Sequence, residues 1–247
     1  MTPFWLTAFL DFADADFERG VRFWRDVTGF TVSAPRGGSS EFATLVPPDG
    51  DDYLRVQRLG TGRSRLHLDV HVTDPRAAAD RAVSLGAEEV CDVGHVVLRS
   101  PGGVTFCFVT HPSSSRPTPV AWPGGHRSMV YQVCLDLPRA SYDAEARFWA
   151  AVLAADPEVL PRRPEFSWLR PGRQLALDVL MQRLDRVSGP AGLHLDLGTD
   201  VREREVARHV ALGAEASVVE EFWTVMRDPV GTTYCITDRD PATGLPR

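Results

Sequence analysis

The chain has 247 residues, 43% hydrophobic and 24% charged, with a net charge of −6. That balance is ordinary for a globular protein and argues against nucleic acid or an anionic membrane surface as partner. No stretch approaches the roughly 20 apolar residues that span a bilayer, and Met1-Thr2-Pro3-Phe4-Trp5 lacks a basic segment ahead of an apolar one, so a cytoplasmic protein is expected.

An apolar run over residues 6–12 predicts a strand, and Asp14 or Asp16 can cap the helix that follows. Its apolar positions, Phe17, Val21, Phe23-Trp24 and Val27, keep a 3.6-residue period, and Gly29 stops it. Short strands are expected at 31–33, 41–46 and 53–59. The pattern then restarts: a strand at 65–72, a helix opened by Asp74-Pro75 and ended at Leu85-Gly86-Ala87, then strands near Val90, 95–99 and 105–110. Residues 111–126, with Pro112, Pro117, Pro119, Pro123 and Gly124-Gly125, read as an extended linker.

Beyond the linker the chain repeats itself. Val21-Arg22-Phe23-Trp24 returns as Ala146-Arg147-Phe148-Trp149, and Val56-Gln57-Arg58-Leu59 as Met181-Gln182-Arg183-Leu184. Leu66-His67-Leu68-Asp69-Val70 returns as Leu193-His194-Leu195-Asp196-Leu197, and Leu85-Gly86-Ala87 as Leu212-Gly213-Ala214. Ser100-Pro101 with Gly103 and Phe106-Cys107 matches Asp228-Pro229 with Gly231 and Tyr234-Cys235. The expected class is α+β: two tandem domains, 1–110 and 127–240, each of paired β-α-β-β-β modules around a concave mixed sheet.

Alternation along the strands selects the candidate site. Thr7 shares a face with Phe9 and Asp11, Gln57 with Tyr53 and Arg55, and His67 with Asp69 and His71. Copy two offers Gln132, Gln182, His194 and Asp196 at the matching places. A polar set repeated on one face points to a polar-lined concavity, because a buried unpaired polar group costs about 1–3 kcal/mol. Trp5, Trp168 and Trp223 are candidate flat walls for an organic ligand. Helix 201–210 interleaves Arg202, Arg204 and Arg208 with Glu203 and Glu205 and reads as a solvated face. The four cysteines lack zinc-ribbon spacing and read as thiols. All 27 basic residues are arginine, which excludes lysine Schiff-base chemistry.

The paired modules, the Phe-Trp helix, the His-Leu-Asp strand, the Leu-Gly-Ala turn and the Asp-Pro-x-Gly ending together resemble the vicinal oxygen chelate superfamily. That group holds the glyoxalases, bleomycin-resistance proteins and extradiol dioxygenases, and the likeness is to its tandem glyoxalase-like branch. The resemblance implies a small-molecule pocket whose metal ligands, His, Gln and Glu, come from four strands. Here those positions carry Thr7, Gln57, His67 and Cys107 in copy one, and Gln132, Gln182, His194 and Cys235 in copy two. Neither set holds a carboxylate and each has one His, so no cofactor is expected; were an ion held, copy two is the better place. Asp69 and Asp196 have no assigned role in the family pattern. Cys107 and Cys235 read as buried apolar side chains with no adjacent base.

The expected function is therefore a metal-free pocket that binds or sequesters a small organic compound. The alternative is a lyase- or isomerase-type enzyme in which His194 or His67 moves a proton while Asp196 or Asp69 orients its ring. His67 and His194 are equally well read as histidines that hydrogen-bond a neighbouring strand. The tandem architecture is compatible with a homodimer.

Overall fold

A computed structural model describes residues 2–170 and 175–247. The chain runs through β1 (Trp5–Ala13), α1 (Phe17–Thr28), β2 (Thr31–Val32), β3 (Phe42–Val46) and β4 (Leu54–Leu59). A second module follows as β5 (Arg65–His71), α2 (Pro75–Ser84), β6 (Glu88–Asp92), β7 (Val96–Arg99) and β8 (Thr105–Val109). The short β9 (Val120–Trp122) pairs with β10 inside the stretch read as a linker. Copy two repeats the order as β10 (His126–Pro138), α3 (Tyr142–Leu153), β11 (Pro157–Leu160), β12 (Arg163–Leu169) and β13 (Asp178–Leu184). It closes with β14 (Gly192–Thr199), α4 (Arg202–Ala211), β15 (Glu215–Val219), β16 (Trp223–Arg227) and β17 (Thr233–Thr237). The strand orders, β2-β3-β4-β1-β5-β8-β7-β6 and β11-β12-β13-β10-β14-β17-β16-β15, are the same in the two copies. The α+β class and the tandem β-α-β-β-β modules are thus as the repeat predicts. None of the described helices is long and apolar enough to cross a membrane.

The residues group into two compact units. One takes Met1–Ala8, Leu66–Ser114 and Val133–Leu193; the other takes Phe9–Arg65, Ser115–Gln132 and His194–Arg247.

In the first unit Asp74 caps α2, its Oδ1 accepting the Ala77 N–H at 3.0 Å, with Pro75 at the first turn. Its core stacks Phe106 edge-on against Phe148 and Trp149. Glu145 of α3, wholly buried, accepts from Trp149 Nε1 (2.9 Å), Ser100 Oγ (2.9 Å) and the Gly102 N–H. Trp5 is 1% exposed and belongs to the core, so it is no ligand wall.

In the second unit α1 buries Phe17, Phe23, Trp24 and Val27, and Gly29 ends it at φ +69° with its N–H on the Arg25 carbonyl. Neither acidic residue's side chain caps it: 14–16 form a 3₁₀ turn, and Asp16, at the cap position, accepts from Arg19 Nη2 and makes no capping bond to a backbone N–H. Trp24 Nε1 donates to Asp228 Oδ2 at 3.0 Å, while Asp228 Oδ1 accepts the Val230 and Thr232 N–H groups. The two units solve one problem with the carboxylate on different elements: the repeat pairs Gly20 and Asp228 in one, Glu145 and Ser100 in the other. Gly20 cannot carry the side chain, because a Cβ there would stand 2.5 Å from the Phe12 ring. Gly20→Ala is expected to cost about 1–3 kcal/mol by overpacking, measured by urea unfolding; a neutral result would mean Phe12 yields freely.

Helix α4 corrects the expectation of a solvated face. Glu205 is fully buried and His209 equally so. Glu205 accepts from His126 Nε2 (2.7 Å), from Arg208 Nε (2.9 Å) and Nη2 (2.7 Å), and faces His209 Nε2 at 3.0 Å. The Tyr234 hydroxyl lies 2.9 Å from His209 Nδ1. Arg208 also donates to the Asp26 and Val27 carbonyls and lies 3.5 Å over the Trp122 ring. Burial alone would raise the Glu205 carboxyl, but hydrogen bonds from Arg208 and His209 outweigh it and hold the group well below the usual carboxylate range.

Candidate functional site

Parallel pairing of β5 with β8 sets Asp69 directly opposite Cys107, and pairing of β14 with β17 sets Asp196 opposite Cys235. His67 and His194 stand two residues earlier on the same strands, hence on the same faces. Each strand pair therefore brings an imidazole, a carboxylate and a thiol together. In both triads the three donor atoms lie within 4.8 Å of one another, and all six residues are buried.

The first unit holds His67, Asp69 and Cys107. His67 Nε2 lies 3.7 Å from Asp69 Oδ1. Thr7 does not serve this triad by any bond seen: its hydroxyl is 2.9 Å from His71 Nε2, and His71 Nδ1 is 2.9 Å from the His111 carbonyl. Gln182, on β13 of this unit, is half-buried opposite Phe166.

The second unit holds His194, Asp196 and Cys235, with His194 Nε2 at 3.4 Å from Asp196 Oδ1. Gln132, 3% exposed, donates its amide N–H to Asp196 Oδ2. The carboxylate is thus held on one oxygen by Gln132 and turns the other toward the imidazole. Gln57, on β4 of this unit, is half-buried opposite Phe42.

Distance separates two uses of such a set. A His–carboxylate dyad that orients the ring needs a hydrogen bond of about 2.7–3.2 Å. Two ligands on a tetrahedral ion with bonds of 2.0–2.1 Å stand about 3.4 Å apart. The His194–Asp196 separation is of the second kind. The donor chemistry agrees, since imidazole, carboxylate and thiolate suit a divalent transition metal better than Mg²⁺ or Ca²⁺.

These observations revise three readings from the sequence. Cys107 and Cys235 are buried, yet each has an imidazole and a carboxylate beside its sulfur. Asp69 and Asp196 acquire a place in the site that the family pattern did not give them; the period-two His-x-Asp spacing was the signal. The expectation of no cofactor is overturned, because ready donor triads exist and a metal-bound protein shares the fold, as follows.

The glyoxalase-like domain family matches residues 7–109 and 132–237. No curated protein matches the chain in sequence. Among solved structures, 2,2',3-trihydroxybiphenyl 1,2-dioxygenase from Sphingomonas wittichii RW1 is similar with a TM-score of 0.65 and 17% identity, covering 99% of this chain and 93% of its own. The Mn(II)-bound glyoxalase from Novosphingobium aromaticivorans is similar with a TM-score of 0.65 and 16% identity, covering 96% and 81%. A mutant of 4-hydroxymandelate synthase from Streptomyces coelicolor gives a TM-score of 0.62 and 17% identity, covering 98% and 95%. At these identities the likeness speaks for the fold, and function must be argued from the site.

Proposed function

The chain belongs to the glyoxalase-like domain family, and on that premise we propose that it is a metal-dependent enzyme acting on a small organic compound, with the ion held in copy two. The supporting observation is the buried His194–Asp196–Cys235 triad, its donor atoms within 4.8 Å of one another, its imidazole and carboxylate 3.4 Å apart and its carboxylate held by Gln132. His67, Asp69 and Cys107 form the equivalent set in copy one, with a longer 3.7 Å spacing and with Thr7 engaged on His71. The residue division 1–110 and 127–240, joined by 111–126, is kept as the domain plan of this proposal.

An ion bound there would polarise an oxygen of the compound as a Lewis acid. The chain's own residues set the terms of that binding. Gln132 donates to Asp196 Oδ2, which fixes the carboxylate's rotamer and leaves Oδ1 turned toward the imidazole. His194 offers Nε2 toward Asp196, so as a ligand it is neutral and is not the free base of the acid–base alternative. Burial of all three donors excludes bulk water from the triad.

The test is elemental analysis of protein purified without chelator and equilibrated with Zn²⁺ or Mn²⁺. About one equivalent per chain or more is expected. Asp196→Asn should lose the copy-two ion, and Gln132→Ala should weaken its affinity by about 10–100-fold, as loss of a group that orients a ligand does. Less than a tenth of an equivalent in the wild-type chain would end the proposal.

A further inference from the structure

On the second unit, strand β4 carries an arginine whose surroundings do not account for it. Arg55 is only 13% exposed in its side chain. Its Nε donates to Asp52 Oδ2 at 2.8 Å, and its guanidinium lies 5.9 Å from the centroid of the Phe9 ring. Its two η nitrogens have no partner among the described residues. A guanidinium presents five N–H donors in a planar fork, so a single bond through Nε leaves the paired end open.

The neighbours make this a surface with a definite preference. Phe9 meets Phe42 edge-on at 6.3 Å. Gln57 stands opposite Phe42 across the β3–β4 pair, on the same face as Arg55. A second cation, Arg36, is close enough that burial and the Arg55 charge together lower its pKa. Two guanidinium groups thus share the Asp52 carboxylate near the Phe9–Phe42 ring pair.

The repeat shows that the scaffold does not require this charge. Copy two has Leu180 at the position of Arg55, Leu177 at that of Asp52 and Cys134 at that of Phe9. Both copies nevertheless build the same strand order. A buried arginine costs desolvation, and a fold that closes with leucine gains nothing structural from it.

We propose that the Phe9–Phe42–Arg55–Gln57 face of copy one binds the carboxylate of a planar, aromatic organic acid, the open Nη pair of Arg55 taking its two oxygens and the phenyl rings taking its ring. This assignment goes beyond the cation reading and does not rest on it, since every residue named lies outside the two triads.

The experiment is calorimetric titration of the chelator-treated, full-length chain with benzoate and, separately, with benzamide, which has the same shape without the charge. Benzoate binding at millimolar concentration is expected, at least about tenfold tighter than benzamide, in line with the greater strength of charge-assisted bonds. Arg55→Leu, which installs the residue copy two already carries, should remove that preference and leave the thermal midpoint unchanged or higher. Arg55→Gln should lose it as well, with folding checked by circular dichroism. Equal binding of the acid and the amide, no binding of benzoate, or a preference that survives both substitutions would overturn the assignment. Loss of the copy-two triad by Asp196→Asn should leave benzoate binding intact, so the two proposals fail separately.

Discussion

Glu205→Ala is expected to destabilise the chain by about 3–5 kcal/mol, the usual cost of removing one partner from a buried ion pair. The reason is what remains behind. Arg208, 17% exposed in its side chain, would keep the Asp26 and Val27 carbonyls but lose its carboxylate, and the His126 and His209 Nε2 groups would lose their acceptor inside the core. The pH dependence follows from the depressed carboxyl. A folded-state pKa below the unfolded value contributes stability that is present above the unfolded pKa of about 4.3 and is lost as pH falls below it. Urea unfolding between pH 7 and pH 3 should therefore show a steep acid loss in the wild type and a shallower one in the variant. A loss under about 1 kcal/mol at pH 7 would mean that water enters and replaces the carboxylate.

The second large effect is expected at Asp228. Asp228→Ala leaves Trp24 Nε1 and the Val230 and Thr232 N–H groups without their acceptor. With both loop residues half-buried, water can recover part of the loss, so about 2–4 kcal/mol is expected. Burial raises the Asp228 carboxyl, against the hydrogen bond from Trp24. A raised acid works with the opposite sign to Glu205: the folded state holds the proton more tightly, and stability falls as pH rises through the folded pKa. Asp228→Asn keeps an acceptor and removes that fall, so it should cost much less than alanine and flatten the curve above the ordinary aspartate pKa. If asparagine proved as damaging as alanine, the carboxylate's charge rather than its acceptor role would be what the loop needs.

The Asp-Pro-x-Gly ending, read in the sequence as a family signature, is thereby explained as architecture. It ties a loop to a tryptophan on a helix of the same unit. Copy one lacks the aspartate at Ser100 and the other unit supplies the same carboxylate from Glu145 on α3. A single copy of the sequence would have marked Asp228 as a candidate site residue and Glu145 as a helix-surface acid. The repeat, laid over the fold, assigns both to one structural task.

Much of the site was legible for the same reason that the strands were. Period-two alternation put His and Asp on one face in both copies, and the repeat showed that this was no accident. What alternation could not supply was the neighbour across the sheet. Asp196 meets Cys235 only because β14 and β17 run parallel in that register, and Gln132 reaches Asp196 from a strand more than sixty residues away. Thr7, read as a partner of the copy-one site, instead meets His71 on β5.

The sequence by itself determined the α+β class, the duplication, the module order and the face on which the polar residues lie. These rest on local periodicity and on internal comparison, and both are written along the chain. Tertiary structure alone decided which acids are buried in structural hydrogen-bond clusters and which stand beside an imidazole and a thiol. It buried Glu205 in a cluster that charge interleaving presents as a solvated helix face, and it set the guanidinium of Arg55 beside the Phe9 ring. The physical reason is common to all of these: burial, pairing and ionisation depend on atoms brought together from distant positions, and no local pattern in the chain encodes that distance.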